Sequence, residues 1–362
     1  MSTVRIMMRV TLIMVIIILL SVNPLLQVRA AIDIRRVRQF AAKNNVTCVL
    51  VFGDSSVDPG NNNHLPLAPK CNFPPYGKDF FNGSATGRFS NGRLATDFIA
   101  DTLGFKEAIP GFLDPNLKKE DLVSGVSFAS GGAGYDDYTT NLSNAFPMTK
   151  QLEYFMHYKI HLRQVVGEKK AEEITSNALF VLSMGTNDFL KNYYLDSFRS
   201  DQFTIEQYQN YLISCMSRAI KEMYRLGVRR LAVVGLSPFG CSPLVKTLKG
   251  ETICDESYNK VALSFNSKLK AKMATLKNIR NCYIDAYSII ESALQNPKKY
   301  GFSETKRGCC GTGTFEYADT CRGLDTCTDR TKYIFWDAVH LTESIYKIIA
   351  EEAIEAVINS QP

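Results

Sequence analysis

A serine, an asparagine and an acid–histidine pair lie far apart along the sequence but could form one reaction centre. Ser55 follows the apolar run 48–52 in the stretch Gly53-Asp-Ser55. A serine hydroxyl attacks a carbonyl carbon when a histidine removes its proton, and hydrogen-bond donors then stabilise the oxyanion. Taken alone, Ser55 is better explained as the N-cap of a following helix, since serine is a preferred capping residue. It becomes a candidate nucleophile only together with a base and donors.

Two further loops hold candidate donors for that oxyanion. Gly131 and Gly132 follow the apolar run 122–128, and glycine lets a backbone N–H group approach a substrate closely. Asn187 follows the run 178–182 and carries a neutral side-chain amide. Each loop, taken alone, is better explained as an ordinary turn. The donors therefore indicate a reaction centre only in combination with Ser55.

The base must come from four histidines. His340 follows Asp337 by three residues, so the carboxylate can reach the imidazole, fix its tautomer and stabilise its protonated form. His157 and His161 have a helical spacing that could bind a metal, but no third ligand accompanies them. His64 lies in a loop beside an asparagine-rich turn. The sequence therefore favours His340 as base and Asp337 as its acid partner, and predicts no metal site.

Five apolar runs must position these loops. They span residues 48–52, 122–128, 178–182, 230–234 and 282–286. Such runs suit strands buried on both faces of a parallel sheet, and helical patterns lie between them. One helix is predicted to begin at the capping box Thr204-x-x-Gln207 and to stop at Gly227, and another to span 342–358. We therefore predict an α/β fold with a doubly wound, mostly parallel five-stranded sheet, in which ligands bind beyond the carboxyl ends of the strands.

The first 30 residues are typical of a secretory signal peptide. Arg5 and Arg9 lie before the apolar stretch 10–22, and cleavage is expected after Ala30. A membrane-spanning helix needs roughly 20 apolar residues, and the stretch 10–22 is shorter. An uncleaved membrane anchor is the alternative interpretation. Cleavage removes three arginines and no acid, so the formal charge falls from +6 to +3, too little to indicate a nucleic-acid partner. With no repeat or long linker, residues 31–362 are expected to form a single domain.

The cysteines also indicate the secretory route, since all ten lie after residue 30 and an oxidising compartment favours disulfides. Four of them cluster in a glycine-rich stretch: Cys309, Cys310, Cys321 and Cys327. We predict a disulfide-stapled loop there. A zinc site is the alternative, but the cluster has no nearby histidine and no C-x-x-C pair. Three N-glycosylation sequons agree with secretion, at Asn45, Asn82 and Asn141.

Together these motifs resemble the GDSL lipase/esterase family, also called the SGNH hydrolases, and specifically its plant secreted branch, closest to the extracellular lipases. The similar segments are Phe52–Asn62, Cys71–Gly77, Thr86–Gly92, Phe128–Gly134, Gly185–Asp188 and Asp337–His340. They extend over nearly the whole chain after residue 30. The resemblance implies a flavodoxin-like three-layer α/β/α sandwich. Ser56 departs from the family pattern, which more usually has leucine or isoleucine there; we expect this to change how the loop packs and to leave the chemistry intact.

The resemblance also implies a role for each matching residue. It gives Ser55 as the nucleophile, His340 as the general base and Asp337 as the acid that orients it. It also implies that the backbone N–H groups of Ser55 and Gly132 and the side chain of Asn187 form the oxyanion hole.

The implied activity is hydrolysis of carboxylic esters, with lipid or acyl esters as substrates, by a secreted enzyme without metal or organic cofactor. After cleavage of the signal peptide no stable membrane anchor is expected. An acyltransferase using the same site and an inactive secreted binding protein on the same fold are the alternatives. The choice between Gly131 and Gly132 as oxyanion donor also stays open.

Overall fold

The computed structural model describes residues 32–360, so the predicted signal peptide lies outside the described residues. Its centre is a parallel sheet with the strand order β1-β2-β3-β4. The strands are β1 Val49–Gly53, β2 Leu179–Ser183, β3 Arg230–Val234 and β4 Arg280–Ile284. Val51 pairs with Val181, and Ala232 lies between Val181 and Cys282. Because all four strands run in one direction, their carboxyl ends meet at one edge.

A fifth segment extends the sheet beyond β1 through an isolated bridge. The Val51 amide donates to the Val126 carbonyl at 3.1 Å, and the Phe128 amide donates to the Val51 carbonyl at 2.7 Å. The resulting order, 126–128 and then β1 to β4, is that of a flavodoxin-like sheet. This agrees with the predicted fold, although the fifth strand is reduced to a bridge.

The prediction of a strand over all of 122–128 was too long. Residues Lys119–Ser124 form a helix instead, and Asp121 caps it by accepting from the Lys118 backbone N–H at 2.8 Å. Gly125 then turns the chain with φ 121°, and its missing side chain lets it pass the Val49 carbonyl, which a Cβ would approach to 2.2 Å. Pairing with β1 therefore starts only after this turn.

Helices cover both faces of the sheet. The α-helices of the described residues are α1 Ile34–Lys43, α2 Ala95–Leu103, α3 Lys119–Ser124, α4 Asp137–Leu142, α5 Met148–Val166, α6 Glu168–Asn177, α7 Ile205–Arg225, α8 Pro243–Lys249, α9 Glu256–Ala274, α10 Ala286–Gln295 and α11 Glu343–Ser360. A π-helix, Asp188–Leu195, follows directly after Asn187. Helices α5, α7 and α9 pack on one face, while α2 and α11 pack on the other. Every residue of β1 and β2 is buried, which explains their continuous apolar runs.

The predicted start of α7 is confirmed. The Thr204 backbone N–H donates to Gln207 Oε1 at 2.9 Å, and the Gln207 N–H donates to Thr204 Oγ1 at 3.3 Å. The helix ends at Arg225, two residues before the predicted stop at Gly227. The predicted C-terminal helix is α11, which begins three residues after His340.

The predicted stapled loop is confirmed as well. It follows β5 Glu304–Gly308, which pairs with β6 Tyr333–Phe335 in a second, two-stranded sheet. The disulfides are Cys309–Cys327, Cys310–Cys321 and Cys241–Cys254. The unpaired cysteines are all buried: Cys48, Cys71, Cys215 and Cys282. Among residues 32–360, no helix has both the length and the apolarity to cross a membrane.

Candidate active site

Ser55 lies at the carboxyl edge of the sheet, two residues after β1 ends. Gly53 has φ 154°, and a Cβ there would lie 2.1 Å from the Ser183 carbonyl oxygen, so only glycine lets β1 end this close to β2. The expectation that Ser55 starts a helix was wrong. Residues 54–57 form a turn, closed by the Val57 N–H donating to the Asp54 carbonyl at 3.2 Å. Ser55 is therefore not the N-cap of a helix.

The structure brings Ser55, His340 and Asp337 into one chain of hydrogen bonds. His340 Nε2 lies 3.0 Å from Ser55 Oγ. On the other side of the ring, Nδ1 lies 2.8 Å from Asp337 Oδ2 and 3.0 Å from Oδ1. With the proton on Nδ1, facing the carboxylate, Nε2 is the acceptor that can take the serine proton.

Asp337 is fully buried and held in its charged form. Burial disfavours the charge, but the electrostatic interaction with His340 and hydrogen bonds from His340 and Tyr76 outweigh it and keep the pKa of Asp337 below its usual value. The backbone N–H groups of Val339 and His340 also donate to Oδ1, at 2.8 and 2.6 Å. These contacts orient the carboxylate toward the imidazole.

Tyr76 is a partner of Asp337 that the sequence reasoning missed. Its hydroxyl donates to Asp337 Oδ2 at 2.6 Å and accepts from the Ala318 backbone N–H at 2.8 Å. Ala318 belongs to the stapled loop, three residues before Cys321. Burial and the charge of Asp337 raise the pKa of Tyr76 well above its usual value, so it stays a donor. The signal was present in Cys71–Gly77, where a tyrosine in an apolar segment needs a hydrogen-bond partner once it is buried.

The turn after the fifth segment presents a backbone donor that is not engaged. Gly131 donates its N–H to Asp58 Oδ2 at 2.9 Å, while no acceptor for the Gly132 N–H occurs within the described residues. Gly132 has φ 90°, a conformation that favours glycine. This arrangement favours Gly132 over Gly131 as a donor to substrate.

Asp58 was also missed from the sequence. Its Oδ1 accepts from the backbone N–H groups of Gly60 and Asn61 at 2.8 and 2.7 Å, so one carboxylate links the segment after Ser55 to the Gly131 turn. Burial raises the pKa of Asp58 to about 6, against the lowering effect of these three N–H donors.

Asn187 lies beside the same turn. Its Nδ2 donates to the Ala133 carbonyl at 3.0 Å, which leaves the second Nδ2 hydrogen for another acceptor. The next residue, Asp188, accepts from the Tyr135 and Asp136 N–H groups at 2.8 and 3.1 Å. Burial raises the pKa of Asp188 to about 7. The two loops are thereby joined, and Asn187 lines one cavity together with Ser55 and His340.

The side chain of the second serine, Ser56, is engaged away from His340. Its Oγ lies 2.8 Å from both Asp54 Oδ1 and Ser183 Oγ. Burial raises the pKa of Asp54 to about 6, although Ser56 donates to it from both backbone and side chain. Ser56 therefore stabilises the loop rather than facing His340.

The remaining histidines lie away from this centre. His157 and His161 are exposed on α5, and His64 ends a short 3-10 helix, Asn61–His64. In the part of the chain that the structure describes, no group of three His, Cys, Asp or Glu side chains is placed to hold a metal ion. The asparagines of the three sequons are all exposed: Asn45, Asn82 and Asn141.

The family model and the curated relatives that match this chain agree with each other. Residues 49–353 match the family model described as GDSL-like Lipase/Acylhydrolase. A GDSL esterase/lipase of Arabidopsis thaliana is 50% identical over 330 residues, covering 90% of this chain and 92% of the relative. The GDSL esterase/lipase APG of the same plant is 42% identical over 318 residues, 85% of this chain and 90% of the relative. A crystal structure of a lipase from a goat rumen metagenome aligns with a TM-score of 0.39 at 12% identity, covering 86% of this chain and 97% of that one.

Proposed function

We propose that this chain, which belongs to the GDSL-like lipase/acylhydrolase family and is a carboxylic ester hydrolase, works through an acyl-enzyme on Ser55. The observation that carries the proposal is the 3.0 Å contact between Ser55 Oγ and His340 Nε2, with Asp337 on the opposite ring nitrogen. A serine hydroxyl is a weak nucleophile until such a base accepts its proton. The buried, ionised Asp337 then stabilises the imidazolium that forms.

In the first step His340 takes the Ser55 proton while Oγ bonds to the ester carbonyl carbon. The bond to the alcohol oxygen breaks, and His340 returns the proton to that oxygen. In the second step water loses a proton to His340 and adds to the acyl carbon. The bond to Oγ breaks, and His340 reprotonates Ser55, so the products are one acid and one alcohol.

The oxyanion of both steps is assigned to three donors: the Ser55 and Gly132 backbone N–H groups and the Asn187 side chain. Two observations support the assignment. The Gly131 N–H is already bound to Asp58, and the Asn187 amide is tied to Ala133, next to Gly132. Donors fixed before the reaction need no reorganisation in the transition state, which is why they are effective.

Secretion and a lipid or other acyl ester as the substrate complete the proposal. The signal-like residues 1–30, the three disulfides and the three exposed sequons all fit an oxidising, extracellular location. The substrate class is supported by the family and by the apolar cavity at Ser55.

Adjacent serines allow a matched test of the nucleophile. With p-nitrophenyl butyrate, Ser55→Ala is expected to lower kcat by on the order of 10⁵ or more. Ser56→Ala, which removes a hydroxyl one residue away, is expected to keep hydrolysis measurable at the wild-type order of magnitude. Activity that survives Ser55→Ala would overturn the mechanism, and a wild-type protein as silent as Ser55→Ala would favour an inactive binding protein.

Product analysis separates hydrolysis from transfer, since both share the acyl-enzyme. With a competing alcohol such as glycerol in the reaction, free acid is expected to be the major product. If the new ester exceeded the free acid at moderate alcohol concentration, the chain would act as an acyltransferase instead.

A further inference from the structure

A lysine without a role in the proposed steps lies close to the turn at Gly132. Lys191 belongs to the π-helix Asp188–Leu195 and follows Asn187 by four residues. Its side chain is largely buried, and its Nζ donates to Ser143 Oγ at 2.6 Å. π-Helices are rare and occur frequently at functional sites, so Lys191 is a candidate for a role in the reaction.

Ser143 connects this lysine to the candidate oxyanion donor. A Cβ added to Gly132 would lie 2.6 Å from Ser143 Cβ and 2.8 Å from Ser143 Oγ, so the serine packs directly against the Gly132 backbone. Ser143 is buried, and its Oγ also approaches the Thr139 carbonyl at 3.5 Å, which is long for a hydrogen bond. The shorter contact with Lys191 is therefore the stronger constraint on where this Oγ lies.

The charge of Lys191 is not balanced by an acid. Among residues 32–360, no carboxylate forms an ion pair with Lys191, and burial lowers the pKa of its ammonium group. Burying a cation without a counter-charge costs free energy, and such perturbed groups occur often at functional sites. The structural alternative is that Lys191 interacts with the carboxyl end of α4, which Ser143 directly follows, since cations are favourable there.

We propose that Lys191 is a positioning residue for ester hydrolysis, which holds Ser143 against Gly132 and so keeps the Gly132 N–H directed at the oxyanion. This inference rests on the proposed acyl-enzyme mechanism and adds a residue to it. The preceding Gly131 is already held by Asp58 at 2.9 Å, so the turn is fixed at both of its glycines. Lys191 transfers no proton in this role.

The first experiment replaces Lys191 by methionine, which has a similar length and no donor. With p-nitrophenyl butyrate, kcat is expected to fall by about tenfold at nearly constant KM, because complete loss of an oxyanion donor costs about 10²–10³ and here the donor is only displaced. A trifluoromethyl ketone, which forms a tetrahedral oxyanion with Ser55 Oγ, is expected to bind about tenfold more weakly. A folded Lys191→Met enzyme with wild-type kcat and inhibitor affinity would overturn the proposal.

Lys159→Met is the matched control for removal of a buried lysine. Burial also lowers the pKa of Lys159, which lies on α5 and donates to the Leu226 carbonyl, four residues before β3 begins. This contact is at the amino edge of the sheet, whereas Ser55 is at the carboxyl edge. The kcat and inhibitor affinity of Lys159→Met are expected to match wild type. A loss as large as that of Lys191→Met would indicate general destabilisation and would contradict the positioning role.

A double-mutant cycle tests whether Lys191 acts through Ser143. Ser143→Ala removes the Oγ and keeps the Cβ against Gly132, so it also serves as the second variant if Lys191→Met folds poorly. We expect Ser143→Ala, and the double variant as well, to lose about tenfold in kcat, because both changes remove the same contact. Additive losses of about a hundredfold would show that Lys191 acts by another route and would refute the proposal.

These outcomes are distinguishable from failure of the proposed function. If the acyl-enzyme mechanism were wrong, Ser55→Ala would retain activity. If only the role of Lys191 were wrong, Ser55→Ala would be inactive and Lys191→Met would keep the wild-type kcat.

Discussion

Replacing Asp58 by asparagine tests whether this buried carboxylate holds the turn at Gly131 and Gly132 in place. Its Oδ1 accepts from Gly60 and Asn61 at 2.8 and 2.7 Å, and its Oδ2 accepts from Gly131 at 2.9 Å. An asparagine has the same shape but only one acceptor oxygen. Whichever way its amide is turned, Nδ2 faces a backbone N–H that needs an acceptor.

The size of the effect follows from these contacts. A hydrogen bond to a charged group is worth about 1.5–3 kcal/mol, and an unpaired buried N–H adds a further penalty. Gly132 directly follows Gly131. Losing the hydrogen bond between Asp58 and Gly131 is therefore expected to displace the Gly132 N–H donor without removing it. Complete loss of one oxyanion donor costs about 10²–10³ in turnover, so we expect Asp58→Asn to lower kcat by about thirtyfold. KM is expected to change little, because the oxyanion exists only in the transition state and the intermediate.

Steady-state kinetics on p-nitrophenyl butyrate measure this split, with circular dichroism to show that the variant is folded. Asp114→Asn is the matched control, since the exposed Asp114 accepts from the Asn116 N–H at 2.8 Å in a turn away from the site. It is expected to leave kcat at the wild-type value. A folded Asp58→Asn enzyme with wild-type kcat, or with an effect confined to KM, would refute the reasoning.

Two further variants test the other supports of the site. Asn187→Ala is expected to lower kcat by about 10²–10³ with little change in KM, as read from the same assay; a loss in KM alone would contradict a role in the oxyanion hole. Tyr76→Phe is expected to lower the free energy of unfolding by about 2 kcal/mol in urea denaturation at pH 7. Because the pKa of Asp337 is lowered by folding, its contacts stabilise the protein above about pH 4, and this stabilisation is lost as the pH falls through the lowered pKa. The penalty of Tyr76→Phe is therefore expected to shrink below about pH 4, and a penalty independent of pH would argue against the bond to Asp337.

The fold was predictable where burial dictates sequence. Strands β1 to β3 are buried on both faces, so their sequences are nearly continuous apolar runs. The capping box at Thr204 correctly predicted the start of α7. The strand prediction for 122–128 was wrong over its first residues, because a short apolar run fits a buried helix as well as a buried strand. There the Asp121 carboxylate caps the helix Lys119–Ser124, a contact that favours the helix over a strand.

The residues expected to meet in space were predictable because parallel strands end at one edge. This placed the loops of Ser55, Gly132 and Asn187 together before any distance was known. Asp58 and Tyr76 could not be found in the same way, since their partners Gly131 and Asp337 are distant in sequence. Only the folded chain shows that the Asp58 carboxylate holds the Gly131 turn and that the Tyr76 hydroxyl holds Asp337.

The most direct test of the central claim is labelling with a fluorophosphonate, which bonds covalently to an activated serine, followed by peptide mapping by mass spectrometry. A single modification is expected on the peptide that contains Gly53-Asp-Ser55-Ser56, located at Ser55 by fragmentation and absent from both Ser55→Ala and a His340→Ala variant. Modification at Ser56 or at another serine, or labelling that persists without His340, would contradict the assignment of Ser55 as the nucleophile.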